Sequence, residues 1–360
     1  MRSFFLLAAA TLAASAPTLM SSVTNLTTPT DWTTITWSGV IGAATTDWVA
    51  IACTGGTYYY WVYATGATDG SLPMRLFANS HGSGCVTLEA WYYHGSDVLM
   101  KSAPITIAPM IQQVHLSLTS NSTEMVVDFV STGVATSNAF CQYGKKSKLT
   151  ESVVATTSFI PTIGNVSHAL LVGLEPGAQY YYTCSDGDVV SQSNVSFIAG
   201  AVPKSGAPQR VAVWADFGVN DGFGLDQIAQ DAAAGAFDFA LHAGDWAYDF
   251  NTGNSANGNF FMNRASLYSA SLPVQPACGN HESGANFSEY QLRHPGVAAH
   301  SNTHTALYYS FDNELVHYLV FNSETYIDGG ITAMLNFMRA DLAAVDRSRT
   351  PWVIAYSHKL

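Results

Sequence analysis

The chain has 360 residues, of which 48% are hydrophobic and 11% charged, and its formal net charge is −12. This length allows two or three domains with cores of their own, and the hydrophobic content excludes wholesale disorder. Nucleic acid is not expected as a partner, because backbone phosphates are bound by clustered Lys and Arg and the chain has only 14 of these residues.

The first residues have the layout of a secretory signal. Arg2 is followed by the apolar run FFLLAAA and then by small residues through Ala16, which is the order found in signal peptides. We predict that residues 1–16 are removed and that the protein is secreted, and an uncleaved anchor is the alternative. No later apolar run approaches the length of a membrane span. Export agrees with five N-x-Ser/Thr acceptors for glycosylation, at Asn25, Asn121, Asn165, Asn194 and Asn286.

Residues 17–109 are typical of a β-sandwich. Short runs rich in Thr, Trp, Tyr and Val, such as WTTITWS, DWVAIAC and CVTLEAWYY, alternate with breaks that contain Gly and Asp. The aromatic run from Tyr58 to Trp61 has two interpretations, a packing surface or a platform for a ligand, and the usual role of strand aromatics favours packing. A second set of runs in residues 110–202, from QVHLSLT to NVSFIA, has the spacing of a fibronectin-like sandwich.

Five cysteines suit an oxidising compartment, with two bridges and one odd thiol. Cys53 and Cys85 lie in strand-like runs of the first module, and Cys141 and Cys184 lie in runs of the second. We therefore predict one bridge within each module, which leaves Cys278 as the odd thiol.

From residue 208 the pattern changes to strands and helices in alternation, after a linker that reads KSGAP. Strands are predicted at VAVWA, FDFALHA, VQPAC and PWVIAYS, a hairpin at LYYSF and VHYLVF, and helices at 225–236, 259–270 and 331–345. This order predicts a layered α/β domain over residues 208–360.

Three motifs end three of these strands with residues that bind hard metal ions. Asp216 stands in ADFG, Asp245 and Tyr248 stand in GDWAY, and Asn280 and His281 stand in GNHE. Open α/β sheets form their sites at the carboxyl ends of their strands. Two metals held about 3.5 to 4 Å apart need a shared ligand, and a carboxylate is the usual bridge, so Asp245 is the candidate bridge.

The remaining donors distinguish two metals. A phenolate oxygen of Tyr248 favours Fe(III) over Zn(II), whereas an imidazole suits a divalent ion. His358 closes the strand PWVIAYS as the motifs close theirs, so it is a candidate nitrogen ligand beside the Asn280 amide oxygen. His304 and His317 are predicted to be structural, because neither closes a strand.

The blocks ADFG, GDWAY, GNHE and VIAYSH resemble, in this order, the signature blocks of the purple acid phosphatases, within the metallophosphoesterase superfamily. QQVHLSL with EMVVDFV resembles the start of that family's fibronectin-like amino-terminal domain, and the first module is similar to the immunoglobulin-like domain of large, plant-type members. The resemblance implies a multidomain chain: an Ig-like β-sandwich at 17–109, a fibronectin III-like domain at 110–202, and an α/β metallophosphoesterase domain at 208–360, built as a layered αββα sandwich.

The same resemblance implies a site and a reaction. Asp216 and Tyr248 would bind Fe(III), Asp245 would bridge, and Asn280 and His358 would bind a divalent Zn, Mn or Fe ion. Phosphate monoesters would be hydrolysed in acid by attack of a metal-bound hydroxide, with His281, outside the metal ligands, giving a proton to the leaving alcohol. A phosphodiesterase or nucleotide pyrophosphatase on the same scaffold, and a secreted binding protein with an impaired catalytic domain, are the alternatives.

Two departures from the family pattern qualify this expectation. Ala215 stands where the family usually has Gly, and no His-x-His pair, the family's last block, occurs after His358. We therefore expect that the chain is truncated at its carboxyl end, that each metal lacks one imidazole, and that these 360 residues bind the metal pair weakly.

Overall fold

The computed structural model describes residues 16–359, except for 57, 79–86, 134–137, 146–147, 192–194, 203–206, 220–223 and 325–329. Cys85, Asn194 and residues 1–15 of the predicted signal peptide therefore lie outside the described residues. Within the described ranges, no helix has the length and apolar character that crossing a membrane requires.

Residues 18–107 form two sheets around a shared core. The first has the order β1-β3-β6, and the second has the order β2-β9-β7-β4-β5, with β8 paired to β7. Trp37 of the first sheet meets Tyr92 of the second with ring centroids 5.5 Å apart, so the sheets pack face to face. The strands are β1 (Thr18–Ser21), β2 (Asn25–Leu26), β3 (Thr30–Ser38), β4 (Trp48–Cys53), β5 (Tyr58–Tyr63), β6 (Gly70–Phe77), β7 (Thr87–His94), β8 (Asp97–Lys101) and β9 (Ile105–Ile107).

The aromatic run of β5 divides between the two faces of its sheet, because strand side chains alternate and the pairing of β5 with β4 shifts register between Ile51 and Ala52. Tyr60 packs inward, with ring centroids 6.0 Å from Phe77 and 6.1 Å from Phe260. Tyr58 and Trp61 lie on the outer face and are 43% and 36% exposed. The packing interpretation therefore describes Tyr60, whereas Tyr58 and Trp61 are partly exposed to solvent.

Residues 110–198 form a second pair of sheets. Their orders are β10-β11-β15-β14 and β13-β12-β16-β17, with β18 paired to β16. Cys141 and Cys184 lie opposite each other on β12 and β16 and form the predicted disulfide. Cys53 is also disulfide-bonded, while its predicted partner is among the residues not described. The strands are β10 (Met110–Ser117), β11 (Met125–Thr132), β12 (Ala139–Gly144), β13 (Glu151–Val154), β14 (Thr156–Ile160), β15 (Gly164–Leu171), β16 (Gln179–Asp186), β17 (Val189–Val190) and β18 (Val195–Ile198).

The last part of the chain alternates strands and helices, as predicted. One sheet is parallel with the order β19-β20-β21, and the other joins an antiparallel hairpin, β22-β23, to β24, which runs parallel to β23. Phe239 on β20 meets Tyr318 on β23 with centroids 5.5 Å apart, so the two sheets share a core. The elements are β19 (Val211–Trp214), α1 (Leu225–Ala233), β20 (Phe239–Ala243), α2 (Ala256–Ser269), β21 (Val274–Ala277), α3 (Ser288–Arg293), α4 (Pro295–His300), β22 (Tyr309–Asn313), β23 (Val316–Val320), α5 (Ile331–Ala344) and β24 (Trp352–Tyr356).

A buried polar layer joins the second module to the α/β domain. Arg293 at the end of α3 is 3% exposed and donates hydrogen bonds to Gln113 at 3.0 Å and Asn259 at 3.1 Å. The backbone N–H of Gly296 donates to Asp128 of β11 at 2.9 Å. Removing one member of such a layer would leave a buried group without its partner, so these contacts specify how the two units are joined.

Candidate metal centre

Four of the predicted ligands follow strand ends in both sheets of the α/β domain. Asp216 follows β19, Asp245 follows β20, Asn280 follows β21 and His358 follows β24. The loops after β19 and β20 are hydrogen-bonded side by side, since the N–H of Asp216 donates to the Gly244 carbonyl at 3.2 Å. The carboxyl ends of the strands therefore bring these loops together, as the strand-end rule predicts.

Three of the predicted ligands converge. One oxygen each of Asp216 and Asp245 and one ring nitrogen of His358 all lie within 4.8 Å of one another. The Nδ1 of His358 donates to the Ala243 carbonyl at 2.9 Å, and its Nε2 lies 3.2 Å from Oδ2 of Asp245. A ligating histidine commonly donates its other ring N–H to a carbonyl in this way, so the Nε2 lone pair is oriented toward the cluster.

Tyr248 belongs to the same cluster, and its hydroxyl donates to Oδ1 of Asp216 at 2.9 Å. Asp216, Asp245 and Tyr248 all have left-handed backbone, with φ of 59°, 51° and 49°. This conformation is uncommon outside glycine, especially for a bulky residue such as tyrosine, and it concentrates at functional sites. The strain is thus an independent indication of function at these three positions.

Asn280 and His281 approach the cluster from the loop after β21. The side-chain oxygen of Asn280 accepts a hydrogen bond from the ammonium of Lys359, the residue after His358. The Nε2 of His281 lies 3.9 Å from Oδ2 of Asp245, and its Nδ1 is 2.9 Å from Oδ1 of Asp249. A carboxylate therefore orients the His281 ring beside the candidate bridge.

Glu282 connects the two central loops, a role that the sequence analysis missed. It is 2% exposed, and its carboxyl oxygens accept N–H bonds from Asp245 at 2.9 Å, Trp246 at 2.9 Å and Gly279 at 2.8 Å. Burial raises the pKa of Glu282 to about 7, although these N–H donors oppose the rise. The acidic residue that completes GNHE was the available signal, as the acidic residue after Tyr248 was for Asp249.

Two glycines allow the loops to approach so closely. A Cβ on Gly279 would lie 2.2 Å from Oδ1 of Asp245, and a Cβ on Gly244 would lie 2.8 Å from both the Gly279 Cα and the His358 Cβ. Gly244 also has φ of 85°, which favours glycine. The glycines of the GD and GN pairs are therefore required by the geometry of the site.

The histidines predicted to be structural lie apart from this donor group. Both ring nitrogens of His317 are bonded to carboxylates, at 2.7 Å from Asp312 and 2.8 Å from Asp341, which confirms the prediction for that residue. His304 is exposed in a loop. Cys278 is a buried thiol just before the loop that carries Asn280.

The predicted glycosylation acceptors differ in accessibility. Asn25, Asn121 and Asn286 are exposed. Asn165 is 7% exposed in β15, and its amide N–H is 3.4 Å from Asp186, so a glycan there would require the side chain to leave the sheet.

The donor set fits a pair of metal ions. Carboxylate, phenol and amide oxygens suit hard cations, and an imidazole nitrogen suits a divalent transition metal. A donor atom of Asp245 lies within 4.8 Å of donor atoms of both Asp216 and His358.

Comparisons with known proteins point to one family. A family model described as the purple acid phosphatase N-terminal domain matches residues 111–198. Acid phosphatase type 7 of Homo sapiens is 29% identical over 267 residues, covering 69% of this chain and 58% of that protein. The Mus musculus protein is 33% identical over 195 residues, covering 52% and 43%. Purple acid phosphatase 23 of Arabidopsis thaliana is 29% identical over 234 residues, covering 55% and 49%. The chain thus spans 43% to 58% of the length of these relatives.

A solved structure shows the same fold. The purple acid phosphatase from yellow lupin (Lupinus luteus) seeds superposes with a TM-score of 0.71, at 17% sequence identity, over 96% of this chain and 73% of that chain. The match therefore includes the two β modules as well as the α/β domain.

Proposed function

Because this chain belongs to the purple acid phosphatase family, we propose that the protein hydrolyses phosphate monoesters in acid with a dinuclear centre of Fe(III) and a divalent Zn, Mn or Fe ion. The observation that carries the proposal is the convergence of Asp216, Asp245 and His358 within 4.8 Å. When bound, the metal pair would supply positive charge for the phosphate oxygens and lower the pKa of water to yield a nucleophile.

The side chains divide between the two ions. We assign Asp216 and Tyr248 to the ferric ion, Asn280 and His358 to the divalent ion, and Asp245 to both. The 2.9 Å contact between Tyr248 and Asp216 supports their assignment to one ion, since two ligands of one metal must be neighbours. The Ala243 carbonyl supports the assignment of His358, because it holds the ring with Nε2 toward Asp245.

His281 is the proposed proton donor to the leaving alcohol. Its Nδ1 faces Asp249 and its Nε2 faces the proposed bridge, so a carboxylate orients the ring with one nitrogen toward the site. A general acid must lie within hydrogen-bond distance of the leaving oxygen when the substrate is bound.

We further propose that the protein is secreted, with residues 17–109 as an immunoglobulin-like domain and 110–202 as a fibronectin III-like domain ahead of the metallophosphoesterase domain. The two packed sheets in each of the first two units support this assignment, as does the exposure of Asn25, Asn121 and Asn286. Treatment of the secreted protein with an N-glycosidase should lower its mass. An unchanged mass would refute glycosylation.

Tyr248→Phe tests the metal assignment. The protein should purify with iron and a visible tyrosinate-to-iron band, and the variant should lose that band while it keeps its fold. Tyr308→Phe, whose ring packs on Phe337, is the matched control and should keep the band. Iron without a visible band in the unaltered protein would refute the Tyr248 assignment.

Substrate class is tested by assaying p-nitrophenyl phosphate and bis-p-nitrophenyl phosphate across pH. We expect the monoester to be preferred, with an acidic optimum. Hydrolysis of the diester alone would replace this proposal with the phosphodiesterase alternative.

A further inference from the structure

An aromatic surface covers the outer face of the second sheet in the first module. We call it the aromatic face and define it by six rings on three adjacent strands: Trp48 on β4, Tyr58, Trp61 and Tyr63 on β5, and Trp91 and Tyr93 on β7. The pairing register sets Trp48 between Tyr63 and Tyr93, and Ala50 between Trp61 and Trp91. Strand alternation, together with the register shift that sets Tyr58 opposite Ala52, therefore gathers all six rings on one side of the sheet.

The rings hold one another in place. Trp48 stacks on Tyr93 with centroids 3.7 Å apart and planes 5° apart, and it meets Tyr58 and Trp61 edge-on at 5.0 and 5.8 Å. The indole N–H of Trp48 donates to the Gly95 carbonyl at 3.1 Å. Because the rings are fixed before any ligand arrives, little side-chain entropy would be lost on binding.

Two alanines leave room for the rings above the sheet. Ala50 and Ala52 are fully buried beneath them and form a small cluster with Trp91 and Tyr93 that is separate from the inner core. Trp61 and Tyr63 remain 36% and 60% exposed. Contiguous exposed aromatic surface of this kind marks an interaction site more often than chance exposure does.

The charged residues beside the aromatic face indicate whether its ligand is charged or neutral. Glu89 and Lys101 border Trp91: the indole N–H donates to Glu89 at 2.9 Å, the Lys101 ammonium lies 3.9 Å from the ring centroid, and the two charges are 3.9 Å apart. These charges largely cancel each other. An anionic polymer would meet no excess of basic groups here, in a chain whose net charge is −12. A neutral ligand is the better match.

We propose that the aromatic face binds a neutral β-linked polysaccharide, such as a glucan or chitin chain. The faces of its pyranose rings present C–H bonds, which are attracted to the negative face of an aromatic ring by the same electrostatics that favour edge-to-face aromatic pairs. Its hydroxyl groups can bond to the tyrosine hydroxyls and to Glu89 and Lys101 at the rim. Tyr58, Trp61 and Tyr63, which are 43%, 36% and 60% exposed, offer the ring surface for this contact.

The experiment is a binding assay with microcrystalline cellulose and insoluble chitin. We expect the intact protein to bind at least one of these polymers and to be released by its soluble oligosaccharide. Trp61→Ala and Tyr63→Ala should each raise the dissociation constant about tenfold, the scale of losing an aromatic anchor from an interface. Trp32→Ala is the matched control, because Trp32 is 58% exposed on the other sheet of the same module.

Three outcomes would overturn the proposal. The first is the absence of binding to either polymer. The second is binding that soluble oligosaccharide does not reverse or that Trp32→Ala weakens equally, which would indicate general adsorption. The third is a concentration-dependent dimer, seen by sedimentation, that Trp61→Ala dissociates, which would make the aromatic face a contact between copies. Thermal unfolding of each variant verifies that the module is folded.

Discussion

Gly279→Ala adds one methyl group at the tightest point of the candidate metal centre. The new Cβ would lie 2.2 Å from Oδ1 of Asp245, 2.7 Å from the Asp245 backbone nitrogen and 3.0 Å from Cδ2 of His358. Gly279 has φ of −115°, which alanine adopts without strain. The substitution therefore tests crowding of two candidate ligands and nothing else.

The size of the effect follows from these distances. Ordinary contact begins at 3.4 Å, so the Asp245 oxygen must retreat by about 1.2 Å from its 2.2 Å position. Because the Asp245 backbone is also too close and is bonded to Glu282, a side-chain rotation cannot relieve both contacts. Overpacking of this kind costs about 1 to 3 kcal/mol of stability, and a displaced ligand or support costs about 10- to 100-fold in metal affinity.

The assay compares metal content by mass spectrometry and unfolding in denaturant. Gly224→Ala is the matched control in the same domain, since a Cβ there meets nothing within 4 Å. We expect Gly279→Ala to lose metal in dilute chelator at which the control keeps it. Equal metal retention in the two variants would refute the bridging geometry inferred for Asp245.

Two further predictions concern buried ionisable groups. Glu282→Gln replaces an oxygen that accepts backbone N–H bonds with an N–H donor, so we expect about 2 to 4 kcal/mol lower stability in denaturant, and a loss below about 1 kcal/mol would contradict its role in joining the loops. Burial lowers the pKa of His115 to about 4, below the 6.5 of an ordinary histidine, so between these values the unfolded chain binds a proton that the folded chain does not. Through this residue alone, stability should therefore fall as pH falls from 6.5 to 4, by up to about 3 kcal/mol. His242 and His294, whose pKa values burial also lowers, add to the same slope, so His115→Gln should reduce it but not abolish it. A slope in His115→Gln as steep as in the control variant His304→Gln would refute the contribution of His115.

Much of the site could be predicted because strand ends are visible in the sequence. Apolar runs mark β19, β20 and β21, whose carboxyl ends meet at one edge of a parallel sheet, and a fourth run marks β24, which brings His358 to them from the other sheet. Asp216, Asp245 and His358 were placed together on this ground. Asp249 and Glu282 were not predicted: their place beside the motifs was a local signal, but their roles depend on contacts between loops that the sequence does not show.

In the fold as well, some features follow from nearby residues and others depend on contacts with distant parts of the chain. Strand β6 contains Pro73, a residue that is unfavourable inside a sheet. It forms nevertheless, since β6 ends the sheet order β1-β3-β6 and an edge strand tolerates a missing N–H. Helix α1 ends at Ala233 rather than at residue 236 because Gly235, with φ of 69°, closes it. A glycine just after a helix is visible in the sequence, so this end of α1 could have been predicted.

Strand β5 contributes to the proposed binding surface on one face and contacts the catalytic domain on the other. Tyr60 packs on Phe260 of α2, and Asn257 of the same helix lies 3.5 Å from the Tyr248 carbonyl, while Trp61 faces outward one residue from Tyr60. A polymer bound at the aromatic face would therefore hold the metal centre near esters on the same surface and raise their effective concentration without a new contact at the site. Such tethering predicts that Trp61→Ala leaves kcat on soluble p-nitrophenyl phosphate unchanged and lowers only the activity retained on washed polymer. A fall in kcat on the soluble ester would instead show that the substitution disturbs α2 and the site through Tyr60.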